Sequence, residues 1–239
     1  MSEVLLEVAS LKTGYGDLTV VRDVSLTVRA GEITVLLGRN GAGKTTTLRA
    51  ITGLNRMSGG SVSYLGEPLA DAPHKRVAKG ISYVQEGKKV FRELTIEQNL
   101  LLGGFSRKMS KRALADSVEE IYQLFPILGS KRALPAASMS GGQQQMLAIG
   151  QALMAKPKLL ILDEPSQGLA PVIVKEVMER VHELKNTGLG ILLVEQAVQE
   201  SVAIADEVSV IEMGRTTLHG AAADITIEDL QNAYFGAAA

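Results

Sequence analysis

The sequence of 239 residues contains no cysteine and no tryptophan, and aromatic residues make up only 4% of it. Without cysteine the chain has no disulfides, no thiolate metal ligands and no cysteine nucleophile, which suits a reducing compartment. The 25 lysines and arginines nearly balance the 26 aspartates and glutamates, so the formal net charge is −1. A neutral chain with few aromatic residues is poorly suited to nucleic acid, and we predict no nucleic-acid partner.

Long hydrophobic runs are also missing. The purest apolar runs, residues 159–162 and 191–194, are far shorter than the roughly 18 apolar residues of a membrane span. The first ten residues carry acids where a signal peptide requires a basic segment. We therefore expect a cytoplasmic chain that reaches a membrane only through a partner.

The pattern of apolar residues predicts an α/β fold. Short bursts of alternating apolar and polar residues over 4–28 predict antiparallel strands. Nearly continuous apolar runs at 33–37, 159–162 and 191–194 are typical of strands buried on both faces. Helical patterns precede the last two runs, and strands that alternate with helices form a parallel sheet.

One domain over residues 1–239 is predicted, with an inserted helical part. Residues 90–139 lack buried-strand runs and have helical patterns instead. We assign this segment to a helical subdomain and residues 1–89 and 140–239 to the core. A hairpin over 207–219 and a helical tail are predicted to follow the last parallel strand.

The segment from Gly38 to Thr45 matches the P-loop pattern G-x-x-x-x-G-K-[ST], after a predicted buried strand and at the start of a predicted helix. Its glycines let backbone amides converge on phosphate oxygens, and the helix N-terminus adds positive potential. Lys44 should reach the β and γ phosphates, and the Thr45 hydroxyl should hold Mg²⁺. The residues predicted to bind nucleotide here are Gly38, Arg39, Asn40, Gly41, Ala42, Gly43, Lys44, Thr45 and Thr46.

Two acids end the apolar run at 159–162. Asp163 fits the role of orienting Mg²⁺, and Glu164 fits a general base that polarises the attacking water. Buried strands rarely end in paired acids without a function. Here the P-loop indicates that function, because Mg²⁺ bound to phosphates requires a carboxylate nearby.

A second anion site is predicted at Ser140, Gly141, Gly142 and Gln143, which precede a helix predicted over 143–155. Ser140 is a suitable N-cap, and the exposed amides of the two glycines suit an anion. Taken alone, this segment is better interpreted as an ordinary capped helix.

The combination of a P-loop, Ser-Gly-Gly-Gln and a strand that ends in Asp-Glu resembles the ATP-binding-cassette (ABC) ATPases over nearly the whole chain. The resemblance implies a P-loop NTPase fold: a RecA-like parallel sheet core, an N-terminal antiparallel β subdomain and an inserted α-helical signature subdomain. It also implies ATP and Mg²⁺, and two cassettes paired head to tail, so that residues 140–143 of one complete the ATP site of the other. Tyr15 matches the family's aromatic residue that stacks on adenine.

Within the family, residues 83–91, 94–100, 164–171 and 194–196 are most similar to the second ATPase subunit of high-affinity branched-chain amino-acid importers. This similarity implies an ATPase that energises an importer. Its partners would be a second ABC ATPase subunit and polytopic permease subunits, with a periplasmic substrate-binding protein acting indirectly. The chain would lie at the cytoplasmic face of the inner membrane.

Three positions depart from the general family pattern. Glu86 stands where most cassettes carry a glutamine that touches Mg²⁺, Ala170 where an aspartate is usual, and Gln196 where a phosphate-sensing histidine is usual. Glutamine can donate a hydrogen bond but cannot become a cation or shuttle a proton. The predicted catalytic residues are Glu164 and Gln196, and the predicted metal ligands are Thr45, Glu86 and Asp163.

The sequence is compatible with other cargoes, with another class of ABC ATPase and with another role for this subunit. The cargo could be urea or a short amide, because such importers use similar ATPase subunits. A soluble ABC ATPase acting on DNA or the ribosome is a second class, although the chain lacks a long coiled coil or a second cassette. The departures at Ala170 and Gln196 also allow a regulatory subunit that binds ATP while a paralogous partner hydrolyses it.

Overall fold

The computed structural model describes residues 2–107 and 110–235. The strands are β1 (Val4–Tyr15), β2 (Leu18–Arg29), β3 (Ile33–Leu37), β4 (Met57–Tyr64), β5 (Glu67–Pro68), β6 (Ile81–Val84), β7 (Leu159–Asp163), β8 (Gly190–Glu195), β9 (Glu207–Glu212) and β10 (Arg215–Ala221). The helices are α1 (Lys44–Ile51), α2 (Pro73–Ala78), α3 (Ile96–Gly103), α4 (Lys111–Leu124), α5 (Pro126–Ser130), α6 (Gly141–Leu153), α7 (Pro171–Lys185), α8 (Val198–Val202) and α9 (Ile227–Phe235).

These strands form one sheet in the order β5-β4-β1-β2-β10-β9-β3-β8-β7-β6. Neighbouring strands from β9 to β6 are parallel, and every residue of β3, β7 and β8 is buried. Strands β1, β2, β4 and β5 pair antiparallel, and β9 and β10 form the predicted hairpin. The predicted parallel α/β core with an antiparallel N-terminal part is therefore confirmed.

Helices cover both faces of the parallel strands, and alternate residues of a strand face opposite sides. Leu160 and Leu162 belong to the buried cluster beneath α6 and α7. Leu159 and Ile161 belong to the cluster that contains α1 and the antiparallel strands. This two-sided burial explains why the parallel strands have continuous apolar sequences.

The segment predicted to be helical contains α3, α4 and α5, with the break before Pro126 as expected. Helix α6 contacts both the helices α3 and α5 and the strand β6, so it connects the helical segment to the sheet. The division of the domain at residues 89 and 139 stays a prediction, and residues 1, 108, 109 and 236–239 of the predicted domain lie outside the described residues. None of the helices described is both long and apolar enough to span a membrane.

Candidate nucleotide-binding site

The P-loop (residues 38–45) joins the C-terminal end of β3 to α1. Gly41 and Gly43 have φ angles of 82° and 109°, in the left-handed region that glycine adopts without strain. A Cβ atom on Gly38 would lie 2.6 Å from the Ile211 carbonyl oxygen, so this position is also restricted to glycine. The glycines of the motif are therefore required by the backbone path of the loop.

The Lys44 side chain is buried and points back into the P-loop. Its Nζ atom donates hydrogen bonds to the carbonyl oxygens of Gly38 (2.7 Å) and Arg39 (3.3 Å). The same Nζ atom lies 3.2 Å from Glu164 Oε1, in an ion pair whose side chains are only 4% and 7% exposed. Lys44 thus occupies the centre of the loop, beside the carboxylate predicted to be the general base.

Asp163 is 1% exposed at the end of β7 and accepts two hydrogen bonds. Its Oδ1 atom accepts from the Thr45 hydroxyl at 3.2 Å, and its Oδ2 atom accepts from the Tyr83 hydroxyl at 2.8 Å. Burial raises the pKa of Tyr83 above its usual value, so this hydroxyl keeps its proton and acts as a donor. Sequence reasoning did not identify Tyr83, which lies on the neighbouring strand β6.

Burial also raises the pKa of Asp163, and the nearby charges of Glu164 and Glu86 raise it further. The hydrogen bonds from Thr45 and Tyr83 oppose this shift without cancelling it. A cation at this point would stabilise the charged carboxylate. A metal ion beside Asp163 would therefore lower the pKa of this carboxyl.

Mg²⁺ prefers oxygen ligands, and it is usually bound by one or two protein oxygens together with substrate phosphates and water. The Thr45 hydroxyl supplies such an oxygen in the cavity lining, and the Asp163 carboxylate lies in contact with it. Among the described residues, no group of three or more acids or histidines forms a complete protein cage for a metal. The residues present thus suit Mg²⁺ that is held jointly with nucleotide phosphates.

Glu164 follows Asp163 with a φ angle of 47°, and its backbone nitrogen donates to the Val194 carbonyl oxygen at 2.9 Å. Its Oε2 atom accepts hydrogen bonds from Gln196 Nε2 (2.5 Å) and from Gln167 Nε2 (3.2 Å). The structure therefore brings the two predicted catalytic side chains, Glu164 and Gln196, into direct contact. Gln167 is a third member of this group that sequence reasoning missed.

A cavity of about 520 Å³ lies over the P-loop. Its lining includes Tyr15, Leu18, Val20, Asn40, Gly41, Gly43, Lys44, Thr45, Thr46, Glu86, Glu164 and Gln167. Asp163 and Gln196 lie behind this lining, in contact with Thr45 and Glu164. The volume falls in the range of small-molecule sites, and the P-loop amides, a lysine and two acids supply its polar groups.

Tyr15 stands at the rim of this cavity with 48% of its surface exposed. Its hydroxyl lies 3.5 Å from the Thr46 hydroxyl, and the Arg49 guanidinium carbon is 5.9 Å from its ring centroid. An exposed ring fixed beside the P-loop is suited to stack on a planar base.

The predicted second anion site lies outside this cavity. Ser140 caps α6 as expected: its hydroxyl accepts from the Gln143 backbone nitrogen, and the Gln143 side chain accepts from the Ser140 backbone nitrogen, both at 3.3 Å. Gly141 is exposed and Gly142 is packed against Ile173. Ser140 and Gly141 therefore lie at the surface, and none of residues 140–143 lines the cavity that contains Lys44.

Two of the departures from the family pattern also have defined places. Glu86 is exposed and lines the nucleotide cavity, whereas Gln85 lines a separate cleft with Gly103 and Gln151. Ala170 precedes α7 and provides no side-chain cap. The acid at position 86, and not the adjacent glutamine, thus lines the nucleotide cavity.

The contact between Tyr83 and Asp163 leads to a testable expectation. We expect Tyr83→Phe to raise the Mg²⁺ concentration needed for half-maximal binding of an ATP analogue by about tenfold, because outer-shell partners orient metal ligands. The measurement is a Mg²⁺ titration of fluorescent-nucleotide binding. Tyr64→Phe is the matched control, since the Tyr64 hydroxyl contacts the Gly80 carbonyl oxygen, at 3.5 Å. Identical Mg²⁺ curves for Tyr83→Phe and the parent chain would contradict this role.

The fold and the site together define a P-loop nucleotide-binding protein. A parallel sheet delivers the P-loop from β3 and Glu164 from the end of β7 to one cavity, with Asp163 in contact with Thr45 of its lining. This convergence at the carboxyl ends of parallel strands is the usual location of ligand sites in open α/β sheets.

Comparisons with known proteins identify the family. Residues 21–167 match the family model described as ABC transporter. The chain is 42% identical to the high-affinity branched-chain amino acid transport ATP-binding protein BraG of Pseudomonas aeruginosa, over 97% of this chain and 100% of that protein. It is 33% identical to the lipopolysaccharide export system ATP-binding protein LptB of Haemophilus influenzae, over 97% of both. It also resembles the solved structure of an ATP-binding subunit of an ABC transporter, with a TM-score of 0.81 and 32% sequence identity. The match covers 95% of this chain and 92% of that chain.

The chain belongs to the ABC transporter family, and it is an ATPase of that family. The resemblance inferred from the sequence motifs is thereby confirmed, as is the predicted fold.

Proposed function

We propose that this chain is the ATP-hydrolysing subunit that energises an importer of branched-chain amino acids. The hydrolytic part of the proposal rests on one observation: Lys44, Thr45 and Glu164 line one cavity, with Asp163 in contact with Thr45. The cargo is supported by the similarity to BraG, which extends over the whole of that protein at 42% identity.

In the proposed reaction, the P-loop amides and Lys44 hold the β and γ phosphates of ATP. Water attacks the γ phosphorus, Glu164 accepts a proton from that water, and the bond between the γ phosphorus and the bridging oxygen breaks, so that ADP and phosphate leave. Bound Mg²⁺ would neutralise charge on the phosphate oxygens. Thr45 and Asp163 are the proposed residues that hold the ion, with Glu86 at the edge of the same cavity.

The proposed working unit contains two cassettes. Ser140 and Gly141 are exposed, Gln143 is half-buried and Gly142 is buried. All four lie outside the chain's own nucleotide cavity, and we propose that this helix start completes a site on a partner. Ser140, Gly141, Gly142 and Gln143 would then contact the γ phosphate bound by the P-loop of the other subunit. ATP would bind this closed pair better than the open one and would shift the population towards closure.

Closure would act on polytopic permease subunits at the cytoplasmic face of the membrane. The described part of the chain contains no helix that could span a membrane, so we propose that this attachment occurs through the permeases. A substrate-binding protein would deliver the amino acid on the other side without touching this chain.

The test is a mild-detergent pull-down of the tagged chain from its own membranes, followed by mass spectrometry. We expect polytopic permeases and a second cassette, and we expect ATPase activity of the reconstituted complex to rise with a binding protein loaded with leucine, isoleucine or valine. Recovery of ribosomal or DNA-associated proteins alone would overturn the transporter proposal. Stimulation of the ATPase activity by a binding protein loaded with urea or a short amide would overturn the proposal that the cargo is a branched-chain amino acid.

A second candidate is lipopolysaccharide export, since the chain is also 33% identical to LptB over nearly its full length. Because the identity to LptB is lower than the identity to BraG, we propose lipopolysaccharide export only as the second candidate. The same pull-down separates the two candidates, because an export system would retain lipopolysaccharide with the permeases and would not respond to a binding protein loaded with an amino acid.

A further inference from the structure

The carboxylate of Glu164 has different partners on its two oxygens. Oε1 lies 3.2 Å from the Lys44 ammonium. Oε2 accepts hydrogen bonds from the side-chain amides of Gln196 and Gln167. One oxygen thus faces a cation that ATP phosphates would attract, and the other is held by two neutral donors.

We propose that Gln167 is a positioning residue for Glu164 and that it acts together with Gln196. When Lys44 turns towards the phosphates, Oε1 loses its partner and becomes available to the attacking water. The two amides remain on Oε2 and keep the carboxylate in place. Because an amide is neutral and holds its protons, it orients Glu164 without competing for the proton of the water.

The backbone after Glu164 places Gln167 where this contact is possible. The Gln167 backbone nitrogen donates to the Glu164 carbonyl oxygen at 3.1 Å, which closes a turn over residues 164–167. Ser166 anchors this turn: its backbone nitrogen and hydroxyl donate to the two carboxylate oxygens of Glu195, at 2.9 and 2.8 Å. Glu195 is 1% exposed at the end of β8, so the anchor belongs to the buried sheet.

A further contact ties Gln167 to the segment that follows β6. The Lys88 Nζ atom donates to the Gln167 carbonyl oxygen at 3.3 Å. The main chain of Gln167 is therefore held by contacts on both sides, and its side chain donates to Glu164 from this position.

The test uses Gln167→Met in the full chain, within its native complex. Methionine keeps the length of the side chain and removes the donors, and we expect kcat to fall about tenfold, the effect of losing one hydrogen bond to a charged group. The dissociation constant for a non-hydrolysable ATP analogue and the Tm should stay unchanged. Gln123→Met on α4 is the matched control, because Gln123 is exposed and far from β7 in sequence.

Combining Gln167→Met with Gln196→Met sharpens the test. Both amides contact the same oxygen, so each compensates for loss of the other, and the double variant should lose more than the product of the two single effects. Independent effects that simply multiply would contradict a shared role on Glu164.

A readout that needs no activity is the ¹H–¹⁵N signal of the Gln167 side-chain amide. It should shift between the parent chain and Glu164→Ala, because the carboxylate that accepts its hydrogen bond is gone. An unmoved signal, or a kcat within about twofold of the parent in Gln167→Met, would overturn the proposal. The inference rests on ATP hydrolysis in this chain and not on the cargo, so a failed pull-down would leave it standing.

Discussion

Replacement of Glu164 by glutamine should lower the ATPase rate of the assembled complex by about 100-fold or more, the usual contribution of a general base. The substitution keeps the side-chain volume and an oxygen that can accept from Gln196 and Gln167. It removes the ion pair with Lys44, which competes with phosphate for the same ammonium. Nucleotide affinity should therefore be retained or increased. Phosphate release measures the ATPase rate, and equilibrium binding measures the nucleotide affinity.

Glu119→Gln provides the matched control, since Glu119 is an exposed residue of α4 and the change in charge is identical. A complex that keeps nearly normal ATPase activity when only this chain carries Glu164→Gln would contradict the prediction. That result would favour a regulatory subunit, with hydrolysis at the partner's site.

Local motifs in the sequence were sufficient to predict the core of this site. The glycines of the P-loop and the acids after β7 are contiguous segments whose chemistry depends on spacing alone. Their convergence follows from the fold, because β3 and β7 are parallel and both flank β8. Ser140 was predictable in the same way, as an N-cap depends only on the residues of the first helical turn.

Contacts between distant segments could not be predicted. Residues 57–84 contain three strands and a helix that sequence patterns did not indicate, and Tyr83 reaches Asp163 only because β6 pairs with β7. Arg76 is similar: its buried guanidinium donates to the Ala50 and Ile51 carbonyl oxygens, at 3.0 and 2.5 Å, and so caps the helix that begins at the P-loop. A charged residue in a short helix is normally exposed, so nothing local indicates this role.

The contact of Gln167 with Glu164 could not be predicted either, although the two residues are close in sequence. It lies three residues after Glu164, but a glutamine at this distance reaches the carboxylate only when the chain turns. The turn depends on the left-handed φ of Glu164 and on Glu195 from another strand. The sequence shows the proximity of the two residues, whereas the fold determines that their side chains meet.

Lys44→Met should abolish measurable nucleotide binding at concentrations that saturate the parent chain and should also destabilise the fold. Methionine has no charge for the phosphates, and it leaves the buried Glu164 carboxylate without its cation. Removing one partner of a buried ion pair should lower the free energy of unfolding by about 3 kcal/mol. This is the lower end of the usual range, because two amides still donate to Glu164 Oε2. Fluorescent-nucleotide titration and denaturant unfolding measure the two effects.

The double variant Lys44→Met with Glu164→Gln separates the two causes. Neutralising Glu164 removes the uncompensated charge, so we expect most of the lost stability to return. Nucleotide binding should stay lost, because the phosphates still lack the ammonium that the P-loop carbonyls of Gly38 and Arg39 hold in place. If stability stayed low in the double variant, the packing of the lysine stem within the loop, and not the ion pair, would be what Lys44 contributes to the fold.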